Sequence, residues 1–537
     1  MNQATMTRRA MLKKLGLGAA ASLSIPRWLA AAGEPAARPN VLFVAVDDMR
    51  DWTVGLGGYA GKVHTPNQQR LAKMGVEFTH AYCASPLCCP SRAAVMTGLM
   101  PTTSGIYNNG QWWKPHMPDA VTIPLHFRAH GYKVAGAGKV FHHTAGNNPP
   151  QQWDEFRRLV FRDDPWYRGA KLNYPWSKVG PPPEGFPFCG FGGLPHENDW
   201  GSLPGRDERD YDDARTVDFA VEYLQRKDGA SARPGKGRPF FLACGIFRPH
   251  LPWYVPRKYF DLYPLDEIKL PEVREDDLDD IPREGRALSK ARRSDLEKIT
   301  SAGKRKHAVQ AYLASITFAD AQFGRLLDAL ESSPHADNTI VVFWSDHGWH
   351  LGEKQHWHKM TLWEEATRVP LLIAAPGAAK AGARCDRPVS LVDIYPTLID
   401  LCGLAAKPEL DGQSLAGLLR DPGAKRDRPA VMVYRRGQCA VRSRRWRYIR
   451  YADGGEELYD HESDPNEWTN LAGRPEHKAV IADLARWIPK KPAPHAPSKG
   501  AYRFDPRTYS WVRKKTGKKT LGAAPGHAPR TKVRNGR

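Results

Sequence analysis

The sequence predicts an α/β fold: a large, mainly parallel or mixed sheet flanked by helices, followed by a smaller C-terminal α+β subdomain. Three observations predict it. Short apolar runs without polar alternation recur along the chain, as strands buried on both faces of a parallel sheet require. An apolar stripe at period 3.6 lies among these runs, as expected of a helix laid on a sheet. From about residue 380 the pattern changes to a helix, short strands and a turn.

The first run, Asn40 to Val46, reads N-V-L-F-V-A-V and ends in Asp47-Asp48. Phe240 to Gly245, Thr339 to Trp344 and Pro370 to Ala375 are each short, β-rich and bounded by turn residues. Between them, Val309, Tyr312, Leu313, Ile316, Phe323, Leu326, Leu327 and Leu330 fall on one helical face. Beyond residue 380 come a helix at Leu391 to Leu401 and strands around Val431 to Val433 and Arg445 to Tyr451. A turn follows at Ser463-Asp464-Pro465-Asn466. Two stretches interrupt the alternation: a Gly/Pro/basic loop at Gly229 to Pro239, and a run of both charges at Glu272 to Lys306 that reads as a solvated surface insertion. Neither reads as catalytic. The expected organisation is an address at 1–32, a main domain at 38–380, a subdomain at 381–490 and a basic, flexible tail at 491–537.

Composition narrows the class. A length of 537 residues with 41% apolar and 26% charged residues describes a folded body, excluding a disordered chain or a fibre. No run reaches the roughly 20 uninterrupted apolar residues of a membrane helix, so no integral membrane segment is expected. The net charge of +21 steers anions to the surface. Part of it is local, since residues 511 to 537 hold many cations and no acid. That tail reads as a disordered solubilising segment, with polyanionic glycan, nucleic acid or an envelope surface as the alternative partners. No nucleic-acid motif occurs, so nucleic acid is not expected as the main partner. Eight cysteines are too few for a disulfide scaffold, although one or two bridges stay open. The first segment carries Thr7-Arg8-Arg9-Ala10-Met11-Leu12-Lys13, an apolar stretch from Leu15 to Ile25, and Ala30-Ala31-Ala32. It resembles a twin-arginine export signal with a small-residue cleavage site, which implies a periplasmic or secreted protein.

Ligand sites in α/β folds lie beyond the carboxyl ends of strands. Two acidic motifs stand there. Asp47-Asp48 follows the first apolar run, and adjacent buried carboxylates need a cation or protons to offset their repulsion. An N-cap Asp beside a salt-bridged Asp accounts for the pair equally well. Ser345-Asp346-His347-Gly348 ends another strand, where a tight turn with a satisfied His is the bland alternative. Together the three carboxylates suit a hard divalent cation, while the His leaves the identity of the metal open.

The most specific signal is Cys88-Cys89-Pro90-Ser91-Arg92-Ala93-Ala94-Val95-Met96-Thr97-Gly98. It resembles the sulfatase signature, C-x-P-S-R followed by x-x-x-[LM]-T-G, and only Cys88 fits its register. The resemblance runs from Asp47-Asp48 to the segment Glu457 to Glu467, and it is closest to the iduronate-2-sulfatase-like branch. The pointers to that branch are Gly138 to His142, Arg248-Pro249-His250, Asp346 to Trp349, Leu351-Gly352-Glu353 and Lys359, with His347 where many sulfatases have Asn.

The resemblance implies an alkaline-phosphatase-like fold and hydrolysis of sulfate monoesters, with a sulfated sugar or polysaccharide as substrate. It implies that a formylglycine-generating maturation enzyme oxidises Cys88 to formylglycine, whose hydrate is the nucleophile. One Ca2+, or another divalent ion, would be held by Asp47, Asp48, residue 88, Asp346 and His347. Arg92 and Lys139 would hold the hydrate, and His142 would take the proton of its remaining hydroxyl. Lys359 and His250 would contact the sulfate, with His250 as the general acid. Trp112, Trp113 and His116 are candidates for a sugar-stacking wall, and His356, with its neighbours His350, Trp357 and His358, for a further part of the pocket. Two other readings stand beside this one. A phosphodiester or phosphonate monoester hydrolase uses a similar nucleophile and metal, and a non-catalytic glycan-binding relative would keep Cys88 unmodified.

Overall fold

Every residue from Asn40 to Val46 is buried, and the strand lies at the centre of a sheet covered on both faces. The computed structural model describes residues 38–158, 185–192, 198–226 and 238–522. The export signal expected at 1–32, residues 229–237 of the Gly/Pro/basic loop and residues 523–537 of the tail lie outside the described residues.

The main sheet has eight strands, in the order Ala383–Cys385, Val76–Phe78, Leu371–Ala374, Thr339–Ser345, Asn40–Val46, Phe240–Ile246, Lys133–Gly138 and Glu155–Arg157. Only Leu371–Ala374 runs against its neighbours; the other pairings are parallel. Alternation along the central strand divides its side chains between two cores. Leu42, Val44 and Val46 join the helices Asp212–Gln225 and Arg305–Glu331 on one face. Val41, Phe43 and Ala45 join the helices Cys88–Thr97 and Ile394–Leu401 on the other. The stripe from Val309 to Leu330 is buried along the 27-residue helix Arg305–Glu331.

The fold class is the expected one, but three local expectations are corrected. The strand Ala383–Cys385 and the helix Ile394–Leu401, placed beyond the boundary at 380, belong to the main sheet and its core. The separate C-terminal unit is a four-stranded antiparallel sheet, Ala430–Val433, Cys439–Arg442, Trp446–Arg450 and Glu456–Asp460. The stretch 272–306 is not simply a solvated insertion. It forms the helices Arg283–Lys290 and Arg293–Ser301, and it buries Leu278, Ile281, Leu288, Leu296 and Ile299. The tail is not flexible throughout either. Tyr502–Asp505, Ser510–Arg513 and Lys519–Leu521 form an antiparallel sheet whose Tyr502, Tyr509 and Trp511 bury Trp112. Charge runs mislead here because the apolar residues between the charges are enough to anchor each segment. All eight cysteines are buried and unpaired.

Candidate active site

The register of the central strands decides where the acids meet. Val46 lies opposite Ser345, so Asp47-Asp48 and Asp346-His347 leave the sheet side by side at its carboxyl edge. Asp48 turns through the left-handed region (φ 60°), and its amide donates to Asp346 Oδ1 at 3.1 Å. The helix Cys88–Thr97 starts at this edge, tied down by Ser91 Oγ donating to Asp346 O at 2.6 Å. One candidate ligand atom from each of Asp47, Asp48, Cys88, Asp346 and His347 lies within 4.8 Å of all the others, and all five residues are buried. The strand Lys133–Gly138, on the far side of Phe240–Ile246 from the central strand, delivers Lys139. Gly138 has φ 72°, and a Cβ there would stand 2.1 Å from Gly245 O, so glycine alone permits the turn that brings Lys139 inward.

Three cations face the acids. Lys359 Nζ lies 2.5 Å from Asp48 Oδ1 and 3.2 Å from Cys88 Sγ. Lys139 Nζ pairs with Asp47 Oδ2 and lies 3.8 Å from Cys88 Sγ. Arg92 donates to Asp47 Oδ1 at 3.0 Å and to Asp346 Oδ2 at 2.8 Å. Its remaining donors reach the carbonyls of Val46, Lys139 and Val140. The expectation that Arg92 holds residue 88 is therefore replaced: the guanidinium positions two carboxylates and two strand ends. His347 Nε2 sits 3.3 Å from both Cys88 Sγ and Asp48 Oδ1.

Burial is the largest influence on each carboxylate, and the cations then separate them. Burial pushes Asp47 up, but Lys139 and Arg92 outweigh it and hold the group below its ordinary value. Burial acts on Asp346 in the same way, and Arg92 brings it down to about 2. Asp48 is pushed up to about 8, because burial and its two acidic neighbours exceed the pull of Lys359. Asp48 Oδ2 is also buried without a hydrogen-bond partner. An orphan carboxylate oxygen among three acids marks an acceptor that the three cations leave unmet, and three carboxylates with an imidazole beside residue 88 fit a divalent cation. Burial raises the Cys88 thiol well above its ordinary range despite the two ammonium groups, so the unmodified sulfur is held as a thiol.

His250 is set by Asp213, whose carboxylate accepts the amides of Phe247 and Arg248 at 2.5 and 3.0 Å. Its Nδ1 donates to Leu251 O at 2.5 Å, and its Nε2 faces Asp48 Oδ2 at 3.9 Å. Because a carbonyl only accepts, the Nε2 lone pair is free in the neutral ring. Burial, followed by Lys139, keeps that ring neutral. His142 is buried with Nδ1 lacking a hydrogen bond, and its ring lies 4.6 Å from that of His143. Phe247 packs on the His250 ring at 4.5 Å, and the histidine ring that meets it edge-on, at 6.1 Å, belongs to His143, which motif reading passed over in favour of His142.

Lys359 stands on a strained segment. His358 (φ 82°) and Met360 (φ 79°) flank it in the left-handed region, and Lys354 and Gln355 also have positive φ. Each such residue costs of order 1 to 3 kcal/mol, so the surroundings must impose the conformation. They do so from the 272–306 stretch: Asp295 Oδ2 meets His358 Nε2 at 3.0 Å, and His356 bridges Ser289 O and Lys359 O at 2.9 and 2.8 Å. His356 is thus a buried brace, and the pocket role expected for it is corrected. The expected stacking wall is corrected as well. Trp113 is 1% exposed, stacks on Phe141 and donates to Asn147 O, while Trp112 donates to Ala145 O and packs among Tyr502, Phe504 and Trp511. His116 is exposed at the surface, apart from the acids.

Glu364, His461 and Glu467 form a second group with metal-ligand spacing. Arg447 pairs with both glutamates and Arg442 with Glu364 at 3.3 Å, so that group is already compensated.

Comparison with known proteins agrees with this geometry. Residues 39–404 match the sulfatase family, and residues 352–492 match the C-terminal region of N-sulphoglucosamine sulphohydrolase. Neither match reaches the sheet at 502–521. A sulfatase of Formosa agariphila is 39% identical over 469 residues, covering 84% of this chain and 87% of that protein. Human iduronate 2-sulfatase is 30% identical over 415 residues, covering 69% of this chain and 70% of that protein. Among solved structures, a phosphonate monoester hydrolase of Silicibacter pomeroyi shares the fold with a TM-score of 0.65 at 24% identity, covering 84% of this chain and 94% of that one.

Proposed function

The chain belongs to the sulfatase family and is a sulfate ester hydrolase, and from that premise we propose that it desulfates glycans through formylglycine made from Cys88 beside a bound calcium ion. The observation that carries the proposal is the position of Cys88 Sγ, 3.2 Å from Lys359 Nζ and 3.3 Å from His347 Nε2 in a pocket with an orphan carboxylate oxygen. The hydrated aldehyde would supply an oxygen nucleophile and a second hydroxyl for release of sulfate, and the cation would supply Lewis acidity toward a sulfate oxygen.

The residues of the chain then take these roles. Asp47, Asp48, Asp346 and His347 would hold the ion, and Arg92 locks Asp47 and Asp346 in place. Lys139 and Lys359 offset negative charge at position 88 and on the equatorial oxygens of the ester. His250 protonates the leaving oxygen from Nε2. Its Nδ1 proton is committed to Leu251 O, so Nε2 carries a proton only as the imidazolium, which an arriving anionic ester favours over the neutral ring. His142 accepts a proton at its unpartnered Nδ1 as sulfate departs. The net charge of +21 favours a polyanionic substrate. The twin-arginine-like segment at 1–32 supports action in the periplasm or outside the cell.

Mass analysis of the peptide spanning Cys88, from cells holding the maturation enzyme, tests the nucleophile. It is paired with sulfate release from a panel of sulfated oligosaccharides, with phosphonate and phosphate esters as competitors. An aldehyde together with sulfate release is the expected result. An intact thiol on an active preparation, or preferred turnover of the phosphorus esters, overturns the proposal.

A further inference from the structure

The C-terminal sheet at 502–521 borders a cavity of about 790 Å3 outside the acidic site. Five cations line it, Lys499, Arg503, Arg507, Lys514 and Lys519, against the single carboxylate of Asp505. That carboxylate is engaged by the Arg507 amide, by Thr508 Oγ1 and, at 3.6 Å, by the Arg507 guanidinium, which leaves four of the five cations without a carboxylate in the cavity. Lys499 is half-buried, and no carboxylate pairs with it among the described residues. Its Nζ donates to the neutral Thr144 Oγ1 at 2.7 Å and lies 5.9 Å from the Trp112 ring. Burial holds its pKa below the ordinary value. A collection of cations with so little internal compensation favours an anion from outside.

The cavity is also joined to the active site. Tyr509 Oη accepts the Gly146 amide at 3.2 Å, Trp112 Nε1 donates to Ala145 O at 2.7 Å, and Lys499 reaches Thr144. All three contacts fall on the loop that carries Lys139 and His142. Partly exposed Phe504 adds apolar wall beside the cations, over the buried Trp112, which suits the faces of sugar rings between charged substituents.

We propose that this cavity is a second anion site, which takes a sulfated unit of the same glycan chain whose ester is cleaved at position 88. The identity of the polymer rests on the glycan reading above; the site itself does not. It makes the enzyme one that holds an extended sulfated chain at two points rather than a lone sulfate ester.

The test uses the full-length chain and immobilised heparin as the probe. Relative to the unsubstituted chain, the variant Arg503→Gln/Arg507→Gln/Lys514→Gln/Lys519→Gln is expected to bind heparin at least about tenfold more weakly, with a shallower salt dependence. Its turnover of 4-nitrophenyl sulfate stays unchanged. The exposed pair Lys514→Glu/Lys519→Glu should shift heparin binding the same way and serves if the fourfold variant does not fold. Unchanged heparin affinity overturns the proposal. So does binding of a single-stranded oligonucleotide, or of phosphatidylglycerol vesicles, as tightly as heparin, or a matching loss of 4-nitrophenyl sulfate turnover. Because binding needs no turnover, a chain that desulfates no glycan yet loses heparin through these substitutions keeps the second site and refutes only the glycan substrate.

Discussion

Among the described residues two groups of acids have metal-ligand spacing, one at the carboxyl edge of the main sheet and one between that edge and the C-terminal four-stranded sheet. In the second, Glu364 accepts from Tyr82, Arg442 and Arg447, and Glu467 accepts from His461 and the Glu364 amide and forms an ion pair with Arg447. Burial pushes Glu364 and Glu467 up, yet Arg442 and Arg447 hold Glu364 low, and Arg447 with His461 holds Glu467 low. In the first, Asp48 has Lys359 as its close cation, keeps one oxygen without a partner and is pushed up to about 8. The difference teaches that a count of carboxylates does not identify an ion site. An acceptor left unspent by the protein's own cations does.

If the first group performs the chemistry and the second only braces it, substitutions should separate the two. The largest effect is expected at the nucleophile. Cys88→Ala should fold and lose roughly 10^4-fold or more in turnover, whereas Cys89→Ala, whose Sγ faces Gln111 O and Asn147 rather than the acids, should keep it. Similar rates for the two variants would remove position 88 from the mechanism. His250→Ala should lower turnover of alkyl sulfates by roughly a hundred- to thousandfold. The defect should shrink on aryl sulfates with good leaving groups, and an equal defect on both would argue against a general acid.

Calcium sharpens the comparison. Asp48→Asn should abolish the rise in thermal midpoint that added calcium gives, while Glu467→Ala should keep that rise. The Glu467 variant should instead lower unfolding free energy by about 3 kcal/mol, since it removes one of the two carboxylates that compensate buried Arg447. Equal calcium responses in the two variants would erase the distinction. The smallest effect is expected at the brace: Asp295→Asn frees His358 and should reduce kcat/KM by about tenfold through Lys359, with calcium affinity unchanged by titration calorimetry.

Much of the active site was legible in the chain because its residues sit where local patterns change. Asp47-Asp48 and Asp346-His347 each terminate an apolar run, and the C-x-P-S-R motif gives position 88 a unique register. The braces were not legible. Asp295 and Ser289 lie in a stretch whose charges read as solvated, and they are 63 and 67 residues away from the histidines they hold. Trp112 and Trp113 were misread for the same reason. An aromatic pair near the nucleophile motif carries no record of which face it presents, and here one ring packs on Phe141 and the other under the C-terminal sheet.

Sequence alone determined the α/β class, the family and the candidate residues of the site, since each follows from short-range order: strand period, turn chemistry and motif spacing. Tertiary structure decided which acid keeps an unpartnered oxygen, which histidines brace the segment around Lys359, and that a basic tail folds into a cavity wall. Those outcomes depend on burial and on partners far apart in the chain. Desolvation sets what a charge costs and a distant counter-ion sets what it recovers, and neither is written next to the residue that bears the charge.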